Sequence, residues 1–373
     1  MDISLRVAVN ARALEWHASP LARGTASHLI KEIAGLEDLH LDLIAAEPIP
    51  ASLSGGAPSH VVPLSRAPSS VAIFDQLQFP RAARDLGADL LLYLHASAPI
   101  AAPAPAVSWY GDGETEGAMA GPEGRIVRSL AQAGLRGAGA VLRPLDLPAE
   151  AGNLAWVAVP PSVPSVFFPG ETAPTDFAPQ ELPGSFVLAA CESTGTLTLL
   201  LAAWTWVEGS LGDSHVLLLG CGDEPARIVL QRRVDQAGLS ATVRAVIFCD
   251  DDWPSAFHAA AALLHGGERQ NATALRWALA GNLPVAGLAT PISRSIVGPA
   301  GYLVEQREAR ALGAACLTLL VEEEMAASLR EQGRERAKSY RREVAVPAWA
   351  EALRRVARAT TGRARRSRST RLR

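Results

Sequence analysis

The sequence lacks the features that mark several large classes of protein. Its four cysteines lie far apart, without the close pairs that zinc and redox sites use, which predicts buried thiols. No segment offers about 18 uninterrupted apolar residues, the length of a membrane-spanning helix, and the first residues lack the apolar core of a signal peptide. The net charge of -3 gives no general attraction to nucleic acid. We therefore expect a soluble, cytoplasmic protein without a specific nucleic-acid partner.

The apolar content of the chain is sufficient for two domains. Its 373 residues exceed what one ordinary hydrophobic core accommodates, and 49% of them are hydrophobic while 20% are charged. This balance argues against disorder, and a single large barrel would require a different order of secondary-structure elements. We predict two domains of about 150 to 190 residues each.

The N-terminal half alternates strands and helices. The stretch "LRVAVN" (5–10) predicts a strand, followed by a loop that carries Arg23 and Gly24 and then by an amphipathic helix. Further along, an apolar run that ends before His95 predicts a strand covered on both faces. Because repeated strand, helix, strand units form parallel sheets, we predict a doubly wound domain over 1–165.

Prolines separate the two halves of the chain. They crowd into 166–184, where missing amide donors and fixed φ angles prevent regular structure, and a linker is predicted there. The strand and helix patterns then resume, which predicts a second parallel-sheet domain over 185–345. A last helix over 346–360, expected to pack on the N-terminal domain, leads to an arginine-rich tail. This tail, 361–373, is predicted to be disordered and to make at most weak contact with anionic lipid.

Three stretches of the sequence resemble segments of one known protein family. "VAVPPSVPSVFFPG" (157–170) is similar to the family's strand-to-linker segment, and 299–340 resembles its closing strand and paired helices. "HGGERQNATALRWALAGNLPVAG" (265–287) resembles the family's segment of two glutamates around a loop at the start of a helix. The family that these stretches resemble is glycosyltransferase family 4, the group 1 glycosyl transferases. The resemblance implies the GT-B architecture, an α/β fold in which two Rossmann-like, doubly wound parallel-sheet domains face each other across a cleft.

The third stretch carries the implied donor site. Glu268 matches the first family glutamate, which contacts the donor sugar, so the resemblance implies a catalytic position for it. The second glutamate, which usually holds the ribose hydroxyls, falls on Arg276. The diphosphate of a nucleotide sugar carries about two negative charges, and its cradle needs backbone amides at a helix start together with a cation. The donor-binding candidates in this stretch are Arg269, Asn271, Ala272, Thr273 and Arg276.

The sequence departs from the family at its other anchors. An arginine and a lysine after the first strand of the family's second domain correspond here to Glu192 and Gly195. Gly24 resembles the glycine of the family's donor loop, although an ordinary turn glycine fits the sequence as well. The family's histidine in the N-terminal domain has no clear counterpart, and Asp112 is the acidic residue that remains near its place.

Two histidines that follow strands are candidates for the cleft walls. Ligands of open α/β sheets bind outside the carboxyl ends of the strands, where both histidines are predicted to lie. We assign His95 to the catalytic set, and His265 to the cleft lining together with Asp112. For each histidine the alternative is a structural imidazole, and for Glu268 and Arg276 it is a surface position on a helix.

These features predict a glycosyltransferase of polysaccharide biosynthesis. It would move a sugar from a nucleotide-sugar donor to a saccharide or lipid-linked acceptor, with retention as the family implies. No metal or other cofactor is expected, because helix amides and cations stabilise the leaving diphosphate. The departures at Glu192, Gly195 and Arg276 leave an alternative, a catalytically inactive GT-B protein that binds saccharide or acts as a scaffold.

Overall fold

The chain divides into two compact units. Unit 1 comprises Met1–Leu145, Ala149–Ser162 and Arg342–Arg373, and unit 2 comprises Asp146–Pro148 and Val163–Arg341. The computed structural model describes residues 4–15, 20–64, 70–111, 122–147, 153–170, 185–190, 194–248, 252–267 and 272–371. Most of the predicted linker, and two of the four cysteines, lie outside these residues.

Unit 1 is built on a parallel sheet. Its described strands are β1 (Leu5–Asn10), β2 (Leu39–Ala45), β3 (Ser59–Val61), β4 (Leu90–Tyr93), β5 (Ala106–Trp109), β6 (Ala140–Pro144) and β7 (Trp156–Val159). They lie in the order β3-β2-β1-β4-β5-β6-β7, and each neighbouring pair is parallel. The chain therefore winds outward from β1 in one direction and from β4 in the other, and the junction between β1 and β4 is a topological switch point.

The helices of unit 1 cover both faces of this sheet. They are α1 (Pro20–Ala34), α2 (Ala51–Ser54), α3 (Ser70–Ile73), α4 (Phe79–Asp85) and α5 (Pro122–Gly137), with a 3-10 helix at Ala11–Leu14 and a π-helix at Phe74–Gln78. Alternate residues of each strand enter different cores: Val7 and Val9 pack with α1, whereas Ala8 packs with Phe74 and Phe79. Burial on both faces explains why a central strand such as β4 is a continuous apolar run.

Unit 2 repeats the same architecture. Its described strands are β8 (Ser185–Ala190), β9 (His215–Cys221), β10 (Val243–Ile247), β11 (Ala262–His265), β12 (Val285–Leu288) and β13 (Gly301–Val304), in the parallel order β10-β9-β8-β11-β12-β13. Its described helices are α6 (Thr194–Leu211), α7 (Glu224–Gln236), α8 (Asp252–Ala259), α9 (Ala272–Ala280), α10 (Pro291–Ile296), α11 (Ala309–Val321) and α12 (Glu323–Ala337). The switch point lies between β8 and β11. The prediction of two doubly wound, Rossmann-like domains is confirmed.

The C-terminal helix belongs to unit 1. Helix α13 (Arg342–Arg371) is anchored by Trp349, whose Nε1 donates to the carbonyl of Pro160 at 3.1 Å, and by Arg354, which donates twice to Asp38 at 2.8 and 2.9 Å. The sequence predicts disorder for 361–373, whereas the backbone of α13 continues as helix to Arg371. Alanine and arginine favour helix, and cations near a helix C-terminus interact favourably with its dipole. A prediction from apolar burial alone misses this local preference.

Two of the four cysteines lie among the described residues. Cys221 and Cys316 are free and buried, and burial raises the pKa of their thiols to about 11 and about 12. For these two cysteines the predicted buried thiols are confirmed, while Cys191 and Cys249 lie outside the described residues. Among the described helices, none combines the length and apolar character needed to cross a bilayer.

A glycine in α5 sets how closely this helix approaches the loop after β4. A Cβ on Gly134 would lie 1.7 Å from the carbonyl oxygen of Ala98, so alanine requires a backbone shift, whereas nothing lies within 4 Å of a Cβ on Gly137 in the same helix. We expect Gly134→Ala to lower the free energy of unfolding of unit 1 by about 1–3 kcal/mol. Gly137→Ala should leave it unchanged or slightly higher. Equal urea unfolding curves for the two variants would contradict this packing.

Candidate functional site

The carboxyl ends of β1 and β4 hold a polar cluster at the switch point of unit 1. Asn10 is the last residue of β1, and His95 follows β4. Asp75 joins them: it accepts a hydrogen bond from Asn10 Nδ2 at 2.9 Å, and His95 Nε2 donates to its other oxygen at 3.1 Å. Switch points are where open α/β sheets bind ligands. His95 therefore lies at the strand end where the sequence predicts it, next to a carboxylate.

The π-helix positions Asp75. A π-helix, here Phe74–Gln78, is rare in proteins and is frequently found at functional sites. Asp75 is 3% exposed, and the hydroxyl of Tyr93 donates to its backbone carbonyl at 2.8 Å. Burial favours a raised pKa for the Asp75 carboxyl, but His95, Arg12 and Asn10 together outweigh burial and hold the pKa below its usual value. Asp75 is therefore a charged carboxylate at neutral pH, stabilised by specific partners.

Arg12 supplies the cation of the cluster. It lies in the 3-10 helix directly after β1, with Nη1 3.6 Å from Asp75 Oδ1 and Nε 3.6 Å from Glu15 Oε2. Its guanidinium also lies 5.9 Å from the centre of the Phe74 ring. Glu15 accepts a hydrogen bond from the amide of Ala46, just after β2, at 2.7 Å. The carboxyl ends of β1, β2 and β4 thus meet at one charged cluster.

The contact with Asp75 determines which nitrogen of His95 can face a ligand. Because Nε2 donates to Asp75, a neutral His95 presents Nδ1 as a hydrogen-bond acceptor. The imidazole is packed edge-on against the ring of Tyr93, with 5.7 Å between the ring centres. An imidazole held in one tautomer by a carboxylate can accept a hydrogen bond from a hydroxyl group of a ligand.

At the switch point of unit 2, the backbone of the turn after β11 lies close to helix α6. A Cβ on Gly266 would lie 2.1 Å from Cγ2 of Thr196 in α6, and Gly267 has a φ of +81°, which favours glycine. His265 is 1% exposed, and its Nδ1 accepts a hydrogen bond from the amide of Gly267 at 3.0 Å. The predicted role of His265 in lining a cleft is thus corrected to a buried imidazole that holds the turn after β11.

Helix α9 follows this turn and is buried along its whole length. Ala272 and Thr273 are 0% and 2% exposed, backbone included, so neither presents its side chain at the surface, and the donor-binding role predicted for them stays a prediction. The first amides of a helix lack an intrahelical acceptor, which makes a helix start suitable for phosphate. Glu268, Arg269 and Asn271, which precede α9, lie outside the described residues, and their roles stay predictions.

Arg276 has a different partner from the one predicted. Its Nε and Nη2 donate to the two oxygens of Asp146 at 2.9 Å each, and both residues belong to unit 2. Only 4% of the Arg276 side chain is exposed. Burial, followed by the charge of Asp146, raises the pKa of the neighbouring Tyr340 hydroxyl. The predicted phosphate-binding role is corrected: a bidentate ion pair with the partly buried carboxylate of Asp146 holds this guanidinium inside unit 2.

The structure places Gly24 in a different element from the one that the sequence predicts. Gly24 lies inside α1 rather than in a loop, because α1 already begins at Pro20, a residue favoured at the first helical position. Its predicted place in a donor loop is therefore corrected. Asp112 and Glu192 lie outside the described residues, so the first stays a prediction and the second stays a departure from the family pattern.

Sequence reasoning missed Asp75 and Arg12. Arg12 carries a usable signal, since it follows the first predicted strand by two residues, at the edge where ligands of such sheets bind. Asp75 carries none, because an acidic residue in a helical stretch is read as solvent-exposed. Only the π-helix and the fold bring it to His95, 20 residues away in the chain.

Comparison with known proteins shows similarity in structure and not in sequence. No protein-family model matches the chain, and no curated protein matches it. Sucrose-phosphate synthase from Thermosynechococcus elongatus has a TM-score of 0.69 at 17% identity, over 95% of this chain and 100% of that one. Anabaena HepE in complex with UDP and glucose has a TM-score of 0.69 at 13% identity, over 94% and 99%.

A third similar structure is WaaG, a glycosyltransferase involved in lipopolysaccharide biosynthesis, with a TM-score of 0.67 at 13% identity over 94% of this chain and 99% of that one. These structures share the arrangement of two Rossmann-like parallel-sheet domains known as GT-B. At such identities the similarity establishes the fold. The chain accordingly has the GT-B fold.

Proposed function

We propose that the protein is a glycosyltransferase that moves a sugar from a nucleotide-sugar donor to a saccharide or lipid-linked acceptor in polysaccharide biosynthesis. The observation that carries this proposal is the pair of switch points, one polar and one lined by glycine, within a GT-B fold. HepE, which is similar in structure, was crystallised with UDP and glucose and with UDP-glucose. Retention of the anomeric configuration is part of the proposal, as the resemblance implies.

The donor is assigned to unit 2. The close approach of Gly266 to Thr196 brings the exit of β11 against the start of α6, immediately before the segment that leads into α9. In the proposal, the amides of Asn271, Ala272 and Thr273 bind the diphosphate at the start of α9. Arg269 contributes a cation, and Glu268 accepts hydrogen bonds from hydroxyls of the donor sugar. No metal ion takes part, because amides and a cation stabilise the leaving diphosphate.

The acceptor is assigned to unit 1. His95 contacts the reacting hydroxyl of the acceptor in the proposal, because Asp75 holds its Nε2 and leaves Nδ1 to face a ligand. Asp112 contributes a further carboxylate to this side. The arginine-rich sequence 361–373 adds weak peripheral contact with anionic lipid on the cytoplasmic face of a membrane, of about 1 kcal/mol per arginine, which suits a lipid-linked acceptor.

Calorimetry with UDP-, GDP- and ADP-sugars at millimolar concentration tests the donor site. One nucleotide class should release heat, unchanged by EDTA, and Glu268→Gln should weaken binding of that donor about 10- to 150-fold, the value of a hydrogen bond to a charged group. Glu322→Gln is the matched control, since Glu322 is an exposed glutamate at the start of α12, and it should bind donor normally. Absence of heat with every donor, in a folded sample, would end the proposal.

A further inference from the structure

The first half of strand β2 has no neighbouring strand on one side. The pairing of β2 with β3 begins at Leu43, which lies opposite Ser59 and donates its amide to the carbonyl of Pro58 at 2.8 Å. Because alternate residues of a strand direct their main-chain groups to the same neighbour, those of Leu39 and Leu41 point to this open side. Extending the ladder to Leu41 would require an amide hydrogen from residue 58, and proline has none.

Three main-chain groups are left without a protein partner as a result. On its other side β2 bonds β1 through the intervening residues, a ladder that starts with the amide of Leu5 donating to the carbonyl of Asp38 at 2.9 Å. Among the residues that the structure describes, the carbonyl of Leu39 and the amide and carbonyl of Leu41 have no hydrogen-bond partner. Leu39 and Leu41 are 2% and 5% exposed. Buried main-chain groups are almost always paired, so an occupant is expected here.

These groups border a cavity of about 400 Å³. Its apolar lining consists of Ala34, Leu39, Leu41, Ala57 and Pro58. Gly55 and Gly56 also line it and are exposed, so the cavity communicates with solvent. Apolar walls with a few polar groups at one side are typical of a site that binds a small ring compound.

The order of the three unpaired groups specifies the edge of the ring. Along β2 they form the series acceptor, donor, acceptor, so a complementary ring presents a donor, then an acceptor, and no acceptor opposite the third group. Adenine has this edge: its N6 amino group donates, its N1 accepts, and the C2–H beside N1 can make a weak contact with a carbonyl. Cytosine places an oxygen opposite the third group. Guanine and uracil have a ring N–H at the middle position, where an acceptor is required.

We infer that this cavity binds the adenine ring of a nucleoside or nucleotide. The N6 amino group donates to the carbonyl of Leu39, and N1 accepts from the amide of Leu41. The site is separate from the charged cluster at the switch point, because Leu41 and Ala46 are five residues apart, about 16 Å along the strand. The inference is therefore independent of the proposed function, whose donor and acceptor sites lie elsewhere.

NMR on the full-length protein with nitrogen-labelled leucine tests the inference, and Leu41→Ile assigns the reporting amide. Adenosine should shift the Leu41 amide signal in a saturable way. N6,N6-dimethyladenosine lacks the donor, and inosine has a ring N–H in place of the acceptor, so both should bind about tenfold or more weakly. Equal affinity for adenosine and these two analogues would overturn the inference.

The adenine ring could be supplied by a nucleoside or by a nucleotide. AMP and ATP are therefore titrated in the same way, and the tightest of the three adenine compounds identifies the source of the ring. Absence of a Leu41 shift with all three compounds would overturn the inference.

Two substitutions close the cavity by different means. Ala57→Leu fills it with a larger side chain, and Pro58→Ala supplies the amide hydrogen that can pair with the carbonyl of Leu41. Each should weaken adenosine about tenfold or more. The matched controls are Ala82→Leu and Pro63→Ala, since Ala82 is half-buried like Ala57, Pro63 is exposed like Pro58, and neither control residue lines the cavity. An equal loss of affinity in the controls would overturn the assignment.

Discussion

Replacing Arg276 by methionine should lower the free energy of unfolding of unit 2 by about 3–5 kcal/mol. The guanidinium and the Asp146 carboxylate form a bidentate pair in which 4% and 11% of the side chains are exposed. Methionine fills much of the volume but leaves the largely desolvated carboxylate of Asp146 without its counter-ion. Urea unfolding followed by tryptophan fluorescence measures the loss, because Trp277 lies next to Arg276 in the buried helix α9.

The double variant Arg276→Met, Asp146→Leu should recover most of this stability. Buried ion pairs replaced on both sides by apolar residues are often neutral, whereas breaking one side leaves a desolvated charge. The effects of the two single substitutions should therefore be strongly non-additive. Strict additivity would show that the pair does not contribute to the stability of unit 2.

The same double variant decides between a structural and a donor-binding role for Arg276. If the guanidinium bound phosphate, its loss would weaken the donor about 10- to 150-fold even in a folded protein. We expect calorimetry to give the affinity of the unaltered chain. Arg276, which the resemblance aligns with a ribose-binding glutamate, would then serve as one half of an internal ion pair of this chain.

The fold could be predicted from the sequence because its signals are local. Strand β4 is an unbroken apolar run, and β9 is apolar from Val216 onward, as burial on both faces of a parallel sheet requires. Their alternation with helical patterns leaves few arrangements besides two doubly wound units. Pro20 also carried a usable signal, since a proline favours the first helical position and would have placed Gly24 inside α1.

The site could be predicted only in part, because its chemistry depends on residues distant in the chain. His95 was recognisable as the residue after a buried strand. Its partner Asp75 was not, because the π-helix that turns Asp75 inward has no sequence pattern of its own. Arg276 shows the same limit: its partner Asp146 is 130 residues away, so spacing within the 265–287 stretch could not reveal it.

Acid should destabilise unit 1 through His28. This residue of α1 has 10% of its side chain exposed, and its Nε2 lies 2.9 Å from the hydroxyl oxygen of Ser162. Burial, helped by the positive charges of Lys31 and Arg342, lowers the pKa of His28 from 6.5 to about 4. The unfolded chain therefore takes up a proton as the pH falls through about 6.5, while the folded chain does not until about 4. Stability is lost over this interval as the pH falls.

The expected loss is about 2–3 kcal/mol between pH 7 and pH 4.5, measured as the free energy of unfolding of unit 1 in urea. Glu32, 3.9 Å from His28 Nδ1, acts in the opposite direction, because burial raises the pKa of its carboxyl despite the opposing effect of Arg342. His28→Gln isolates the histidine, since glutamine can still hydrogen-bond Ser162 but does not titrate. Its stability should therefore fall less steeply than that of the unaltered chain between pH 7 and 4.5. Parallel pH profiles for the two proteins would mean that His28 is already protonated in the folded state, and the buried contact with Ser162 would have to be abandoned.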